Sequence, residues 1–285
     1  MVNMRQGKSV RGVEFTPSAS DIEIELTTLR AIVRSGGRRE FLAPQRLNFD
    51  LLYRVESGRT VHRIDFVEYD IAPGDVVWIH AGQVHEWGEI DALSGSVAMF
   101  ASHAVGPSTQ QLLAITAVNM RSFWTADAGT SAGVHTALDA LFAPMPPSSG
   151  SGIRREIGRS ALACLLLRLS SETDGHPALE GAEVFAWFRA EVEAQFRSIR
   201  TVSDYAQRLG YSERTLNRAA NSHGTTAKKT IDDRIVLEAK RLLVFTSLSV
   251  LDIGVQLGYD DPSNFTSFFR VRTGRTPSGF RQGDR

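Results

Sequence analysis

Three side chains at helical spacing, Arg214, Asn217 and Arg218, carry the chemistry to read base edges. A guanidinium pairs bidentately with guanine O6 and N7, and a carboxamide with adenine N6 and N7. Positions i, i+3 and i+4 share one helix face, so these three form one stripe while Leu216 and Ala219 turn to the core. Further along, Ser263, Asn264 and Ser267 share a short polar face beside an apolar stripe of Phe265, Phe268 and Phe269. Arg270 and Arg272 close that second helix and are placed for phosphates. A separate set, His62, His80, His85 and Glu86, holds residue types that serve as metal ligands, proton carriers or ligand contacts.

The arginine and serine stripes need rigid supports, and the chain supplies the same support twice. Thr201, Val202, Ser203, Asp204, Tyr205, Ala206, then Leu209, Gly210 and Tyr211, is matched by Ser249, Val250, Leu251, Asp252, Ile253, Gly254, then Leu257, Gly258 and Tyr259. Each opens with a hydroxyl and a carboxylate three residues on, the pattern of a capping box. Each places a small residue, Ala206 or Gly254, where a second helix crosses closely, and ends in a glycine suited to a left-handed turn. Ser212 caps the helix that follows the first copy; Asp261 and Pro262 begin the helix that follows the second. Two helix-turn-helix units result, joined by a long helix over Ile231–Phe245, in which Ile235, Leu242 and the Leu237/Arg241 neighbourhood brace both.

This double unit resembles the DNA-binding domain of AraC/XylS-family transcription regulators over about residues 182–282. The most specific segment runs from Gly258 through Asp261-Pro262-Ser263-Asn264-Phe265 to Arg270, then Thr273-Gly274-Arg275-Thr276-Pro277 to Arg281. The resemblance implies base contacts at Arg214, Asn217, Arg218, Ser263, Asn264 and Ser267, and phosphate contacts at Ser212, Arg270 and Arg272. It implies that the connecting helix spaces two recognition helices by about one DNA turn, ~34 Å. The second helix, with only short polar groups, leans more on backbone and shape.

The first part of the chain reads as strands. Leu47–Val55 and Val61–Tyr69 alternate, Val76–Ile79 is an apolar run, and Val97–Phe100 is another. The segment Gly74–His85 resembles the second cupin motif, with His80 where proline is usual. A catalytic cupin supplies a His-X-His pair from its first motif; here that region offers His62 followed by Arg63 and Ile64. No catalytic residue, metal or cofactor is therefore expected. The resemblance implies a small-molecule effector held in the barrel, with Phe49, Tyr53, His62, Trp78, His85 and Trp87 as candidate walls. Helices are expected over 109–122, 131–143 and 153–169, the last with Ile153, Ile157, Ala161, Cys164, Leu165 and Arg168 on one face.

The fold expected is α+β: a cupin-like β-barrel followed by helices over residues 1–170, a linker over 171–181, and an all-α domain with two helix-turn-helix units over 182–285. The loop at 144–152 is flexible, and residues 182–199 are helical. Net charge is zero, but residues 181–285 hold 16 Lys/Arg against 12 Asp/Glu, about four excess positive charges. The single cysteine, Cys164, reads as a small buried hydrophobe and suits a reducing cytoplasm. No apolar run is long enough for a membrane span, and the first residues lack the apolar core of a signal peptide.

These features point to a non-enzymatic, sequence-specific transcription regulator gated by a small-molecule effector. Its expected partners are double-stranded DNA, the effector and RNA polymerase, as a homodimer or a monomer on DNA, with no membrane. Three alternatives stay open at this point: a metal-dependent cupin enzyme with a DNA-binding appendage, a ligand-independent regulator, and an architectural DNA binder without sequence choice. The apolar stripe of the 153–169 helix either packs against the barrel or, as the family resemblance implies, forms a dimer through the helices after it.

Overall fold

The computed structural model describes residues 10–15, 23–36, 41, 43–115, 121–126, 132–144, 150–172 and 181–283. The expected linker, most of the loop at 144–152 and the end of the helix expected over 109–122 fall largely outside these residues. Backbone contacts form two compact units, divided within the stretch 173–180.

The first unit holds two five-stranded sheets among the described residues. The strands are β1 (Arg11–Val13), β2 (Ile24–Thr28), β3 (Gln45–Leu47), β4 (Asp50–Ser57), β5 (Thr60–Ile64), β6 (Val67–Ile71), β7 (Val76–Ile79), β8 (Val84–Trp87), β9 (Ser94–Phe100) and β10 (Phe123–Trp124). One sheet runs β1-β3-β8-β5-β6 and the other β10-β7-β4-β9-β2. No described strand pairing joins them, so the closed barrel expected from the sequence is instead a pair of sheets. The helices are α1 (Leu29–Gly36), α2 (Pro107–Ile115), α3 (Ala132–Phe142) and α4 (Ser151–Ser171).

Two of the expected strands are divided. Leu47–Val55 alternates, yet the chain leaves one sheet after Leu47 and enters the other at Asp50. Val61–Tyr69 is a hairpin, turned at Asp65, whose φ of 53° is left-handed. Asp65 holds that turn by accepting from the Val84 amide at 3.1 Å and from Gln83 at 3.2 Å. The second sheet is buried on both faces, which is why Val76–Ile79 is apolar throughout. Tyr53, Val77 and Val97 face the core between the sheets, while Leu52, Val76, Trp78 and Ala98 pack with α2–α4.

Helix α4 buries Leu162, Leu165, Leu166 and Leu169. Of the stripe expected, Leu165 is buried, but Ile153 and Ile157 are 62% and 46% exposed, and Cys164 is exposed rather than buried. The helix has two apolar faces, and the leucine-rich one, with larger side chains at i, i+3, i+4 and i+7, takes the core.

The second unit is all-helical: α5 (Ala182–Gln195), α6 (Val202–Leu209), α7 (Glu213–Ser222), α8 (Ala227–Phe245), α9 (Val250–Gln256), α10 (Pro262–Thr273) and α11 (Pro277–Gly283). Helix α5 stops short of the expected residue 199, and α8 starts one turn earlier than expected because Thr226 caps it, accepting from the Lys229 amide at 3.1 Å. One hydrophobic cluster runs through the unit, with Ile231, Ile235, Ala239 and Leu243 of α8 between Tyr205 and Leu216 on one side and Ile253, Phe265 and Phe269 on the other.

Candidate functional site

The first helix-turn-helix is α6 and α7. Thr201 caps α6 by accepting from the Asp204 amide at 3.1 Å, and its hydroxyl donates to the Asp204 carboxylate at 2.6 Å. Gly210 takes φ 72° at the turn, and the Tyr211 amide donates back to the Ala206 carbonyl at 2.9 Å. Ser212 accepts from the Thr215 amide at 3.1 Å, so its hydroxyl caps α7. On α7 itself, Leu216 and Ala219 are buried while Arg214 and Arg218 are exposed. Asn217 is half-buried and its amide works inside the protein: Nδ2 donates to the Glu213 carbonyl at 3.1 Å and Oδ1 accepts from the Ala227 amide at 3.3 Å. It thereby ties α7 to the start of α8.

The second unit is α9 and α10. Here the capping box is complete, with Ser249 and Asp252 each accepting from the other's backbone amide. Asp261 accepts from the Ser263 amide at 2.7 Å and Pro262 occupies the first turn of α10. Phe265 and Phe269 are fully buried and Phe268 is half-buried, which leaves Ser263, Asn264 and Ser267 exposed. Arg270 is exposed. Arg272 instead lies with Nη2 2.5 Å from Oδ2 of Asp232 on α8.

Two buried carboxylates of α8 were not singled out in the sequence. Asp232 is 1% exposed and Glu238 is fully buried. Glu238 sits within reach of Arg197, Arg234 and Arg241 at 3.2–3.4 Å. A signal existed: Asp232 falls in register with Ile235, Ala239 and Leu242, and Glu238 with Ile231, Ile235 and Leu242, so both acids lie within the apolar stripe.

In the first unit, five of the six candidate wall residues gather between the sheets. Phe49, Tyr53 and Trp87 belong to the inter-sheet core, and His62 and His85 are buried against Tyr53 and Trp87. Trp78 does not join them; it lies on the other face of its sheet with Trp124 and Phe100. Tyr53, His62, His85 and Trp87 are packed ring on ring, with His62 and Trp87 centroids 4.2 Å apart and Tyr53 and Trp87 at 5.3 Å, while Phe49 packs on Phe15.

A hydrogen-bonded chain runs through this cluster. Tyr53 Oη lies 2.8 Å from His62 Nδ1, and His62 Nε2 lies 3.1 Å from His85 Nδ1. Among the described residues, His85 Nε2 and Trp87 Nε1 are buried without a hydrogen-bond partner. Burial removes the water that an imidazolium needs, and it lowers the His62 pKa well below its usual value and that of His85 to about 3. Mutual repulsion lowers His62 further, while Asp65 partly opposes the shift at His85. Both rings are therefore neutral at pH 7. Burial likewise raises the Tyr53 hydroxyl well above its ordinary range, helped by Asp75.

His80 and Glu86 stand apart from this chain. His80 donates through Nε2 to the Arg121 carbonyl at 3.1 Å, and its Nδ1 lies 3.4 Å from Asp50 Oδ1. Asp50 also accepts from Trp78 Nε1 at 2.9 Å and Ser102 at 2.6 Å, so the histidine in the usual proline place pins β7 to the segment before β10. Glu86 pairs with Arg63 at 3.2 Å. Among the described residues no group of three or more His, Cys, Asp or Glu side chains is arranged to hold a metal ion. No described helix is long and apolar enough to cross a membrane.

A family model described as "Helix-turn-helix domain" matches residues 205–283. The transcriptional activator NphR of a Rhodococcus species is 35% identical over 82 residues, 29% of this chain and 24% of that protein. The ornithine utilization regulator of Pseudomonas aeruginosa is 39% identical over 77 residues, 27% of this chain and 23% of its own length. The chain thus spans about a quarter of the length of these relatives. The activator RhaS of Escherichia fergusonii is 25% identical over 246 residues, covering 83% of this chain and 86% of RhaS. Among solved structures, ToxT from Vibrio cholerae aligns over 92% of this chain and 98% of its own at 10% identity, with a TM-score of 0.38.

Proposed function

We propose that this chain, which belongs to the AraC/XylS family of transcription regulators, binds double-stranded DNA at a two-part site and regulates transcription there. The observation that carries the reading is the pair of capped helices, α7 and α10, whose apolar faces enter one shared core while their polar faces stay exposed. Arg214 and Arg218 read base edges from α7, and Ser263, Asn264 and Ser267 contact bases from α10. Asn217, with its amide bound to Glu213 and Ala227, orients α7 and contributes to readout through that placement. Ser212 at the start of α7 and Arg270 at the end of α10 meet phosphates, and Arg272, held by Asp232, adds charge beside them.

In the same proposal the first unit is a cupin-like sensor of a small-molecule effector, and residues 171–181 are the linker to the DNA-binding unit. What supports this is the buried polar pair His85 Nε2 and Trp87 Nε1, each short of a partner within an aromatic cluster. An effector changes output only by binding two conformations unequally. RNA polymerase is the natural second macromolecular partner of a regulator on DNA, and cytoplasmic residence and a dimer through the helices after the sheets belong to the same proposal.

The test is selection of bound fragments from a random DNA pool by the full chain at fixed salt. Enrichment of a motif with two half-sites about one turn apart supports the reading. Uniform recovery of all sequences, with a steep salt dependence, favours an architectural binder and overturns it.

A further inference from the structure

Between the two helix-turn-helix units the contacts are of two kinds. Apolar packing along α8 is non-directional and tolerates small slides. The second kind is directional and converges on the start of α8. Asp232, 1% exposed, accepts from Lys228 Nζ at 2.7 Å on one oxygen; its other oxygen is buried without a hydrogen bond among the described residues and meets Arg272 Nη2 at 2.5 Å as a charge pair only. Lys228 also donates to the Arg200 carbonyl at 3.2 Å. The Arg200 guanidinium carbon lies over Tyr259, 3.4 Å from its ring centroid, and the group donates to the Leu257 carbonyl at 2.5 Å. These contacts join the loop before α6, the first two turns of α8, the turn after α9 and the last turn of α10.

We propose that Asp232, Arg272 and Arg200 form a brace that fixes the distance and angle between α7 and α10. They are positioning residues that decide which half-site spacing the chain accepts. The proposal rests on the reading of α7 and α10 as the two recognition helices. Its physical basis is the unusual place of Asp232. A carboxylate inside an apolar helix stripe adds little net stability, because desolvation offsets its pairing. The best-attested use of such a group is to specify register, since an ion pair has one favourable geometry where a hydrophobic contact has many. Tyr259 is held by a charge as well, with the Arg200 guanidinium over its ring rather than apolar packing alone.

DNA supplies the readout. Adding one base pair between half-sites moves one of them by about 3.4 Å along the axis and rotates it about the duplex, which a rigid pair of helices cannot follow. A loosened pair follows it and loses the preference. A variant that is merely less stable lowers binding to all spacings alike.

The experiment has two arms on the full-length chain. In the first, Cys164→Ser removes the native thiol, and spin labels are placed at exposed Asn221 on α7 and Val271 on α10. The distance distribution between the labels is then measured without DNA. In the second arm, affinity is measured for a selected two-part duplex and for versions one base pair shorter and longer. The unsubstituted brace gives one narrow distribution and a penalty of about tenfold or more for either spacing change. Asp232→Asn and Arg272→Ala each broaden the distribution and cut the penalty to about threefold or less, and Arg272→Lys recovers part of both. A distribution and penalty unchanged in folded Asp232→Asn and Arg272→Ala proteins overturn the brace. Absence of any two-part preference in the unsubstituted chain overturns the recognition-helix reading instead, and the label distances still decide whether the brace holds the helices.

Discussion

Gly254 of α9 faces Phe265 of α10 so closely that a Cβ added to the glycine stands 3.3 Å from the phenylalanine Cβ. The two helices of the second unit cross at a residue without a side chain, and Phe265 fills the space gained and is fully buried. Gly254→Ala is expected to fall within about 1 kcal/mol of the parent, because the tight methyl contact is offset by the better helix propensity of alanine. Gly254→Leu is expected to cost about 3 kcal/mol or more, since α10 must move away. Urea unfolding followed by far-ultraviolet circular dichroism checks both, and an unaffected Gly254→Leu protein contradicts the crossing.

The two turn glycines differ in what surrounds them. Gly210 and Gly258 have φ of 72° and 76°, yet a Cβ on Gly210 meets open space while one on Gly258 stands 1.9 Å from the Arg197 carbonyl oxygen. Gly210→Ala is expected to cost about 1 kcal/mol, the conformational term alone. Gly258→Ala adds a backbone clash and is expected to cost about 3 kcal/mol or more. Equal costs in paired unfolding experiments would mean that the second turn does not rest on the loop before α6.

The buried histidines make the first unit sensitive to acid. Their folded pKa values lie below the unfolded value of about 6.5, so between the two the unfolded chain binds more protons. Stability from this source is complete above about pH 6.5 and falls as the pH drops below it, for His85 down to about pH 3. Unfolding free energies measured across that range, beside His85→Gln, check the sign: the variant should show a shallower slope. A parent profile that stays flat from pH 7 to pH 4 would falsify the neutral buried pair.

How far the sequence led differs between the units. The second unit was legible in detail because its signals are local: capping hydroxyls at Thr201, Ser212 and Ser249, a proline at the first turn of α10, and phenylalanines at helical spacing. The acids of α8 were passed over because a carboxylate in a helix is ordinarily solvated, and only their register with Ile235 and Leu242 marks them as buried. In the first unit, alternation identified strands but not sheets. The break at Asn48–Phe49 separates strands of different sheets without interrupting the apolar pattern, and Trp78 and Tyr53 face opposite sides of one sheet that is buried on both. The hairpin at Asp65 lacked a glycine to announce its left-handed turn.

Cys164 illustrates the same difficulty on a helix, because α4 carries two apolar faces and residue type alone does not choose between them. With Cys164 exposed, a maleimide reagent should modify one thiol per chain under native conditions at neutral pH. Modification that appears only after denaturant is added would place this face of α4 against another surface.

The central claim is that α7 and α10 read bases rather than only grip phosphates. Its most direct test is the affinity of the parent, Arg214→Ala and Arg218→Ala proteins for every single-base variant of the selected duplex at one salt concentration. Each substitution should cost about 1–3 kcal/mol on the parent site and abolish discrimination at one or two adjacent positions, leaving the rest of the site unchanged. Losses spread equally over all duplexes, with a shallower salt dependence, would show that these arginines touch phosphate alone and would contradict base readout by α7.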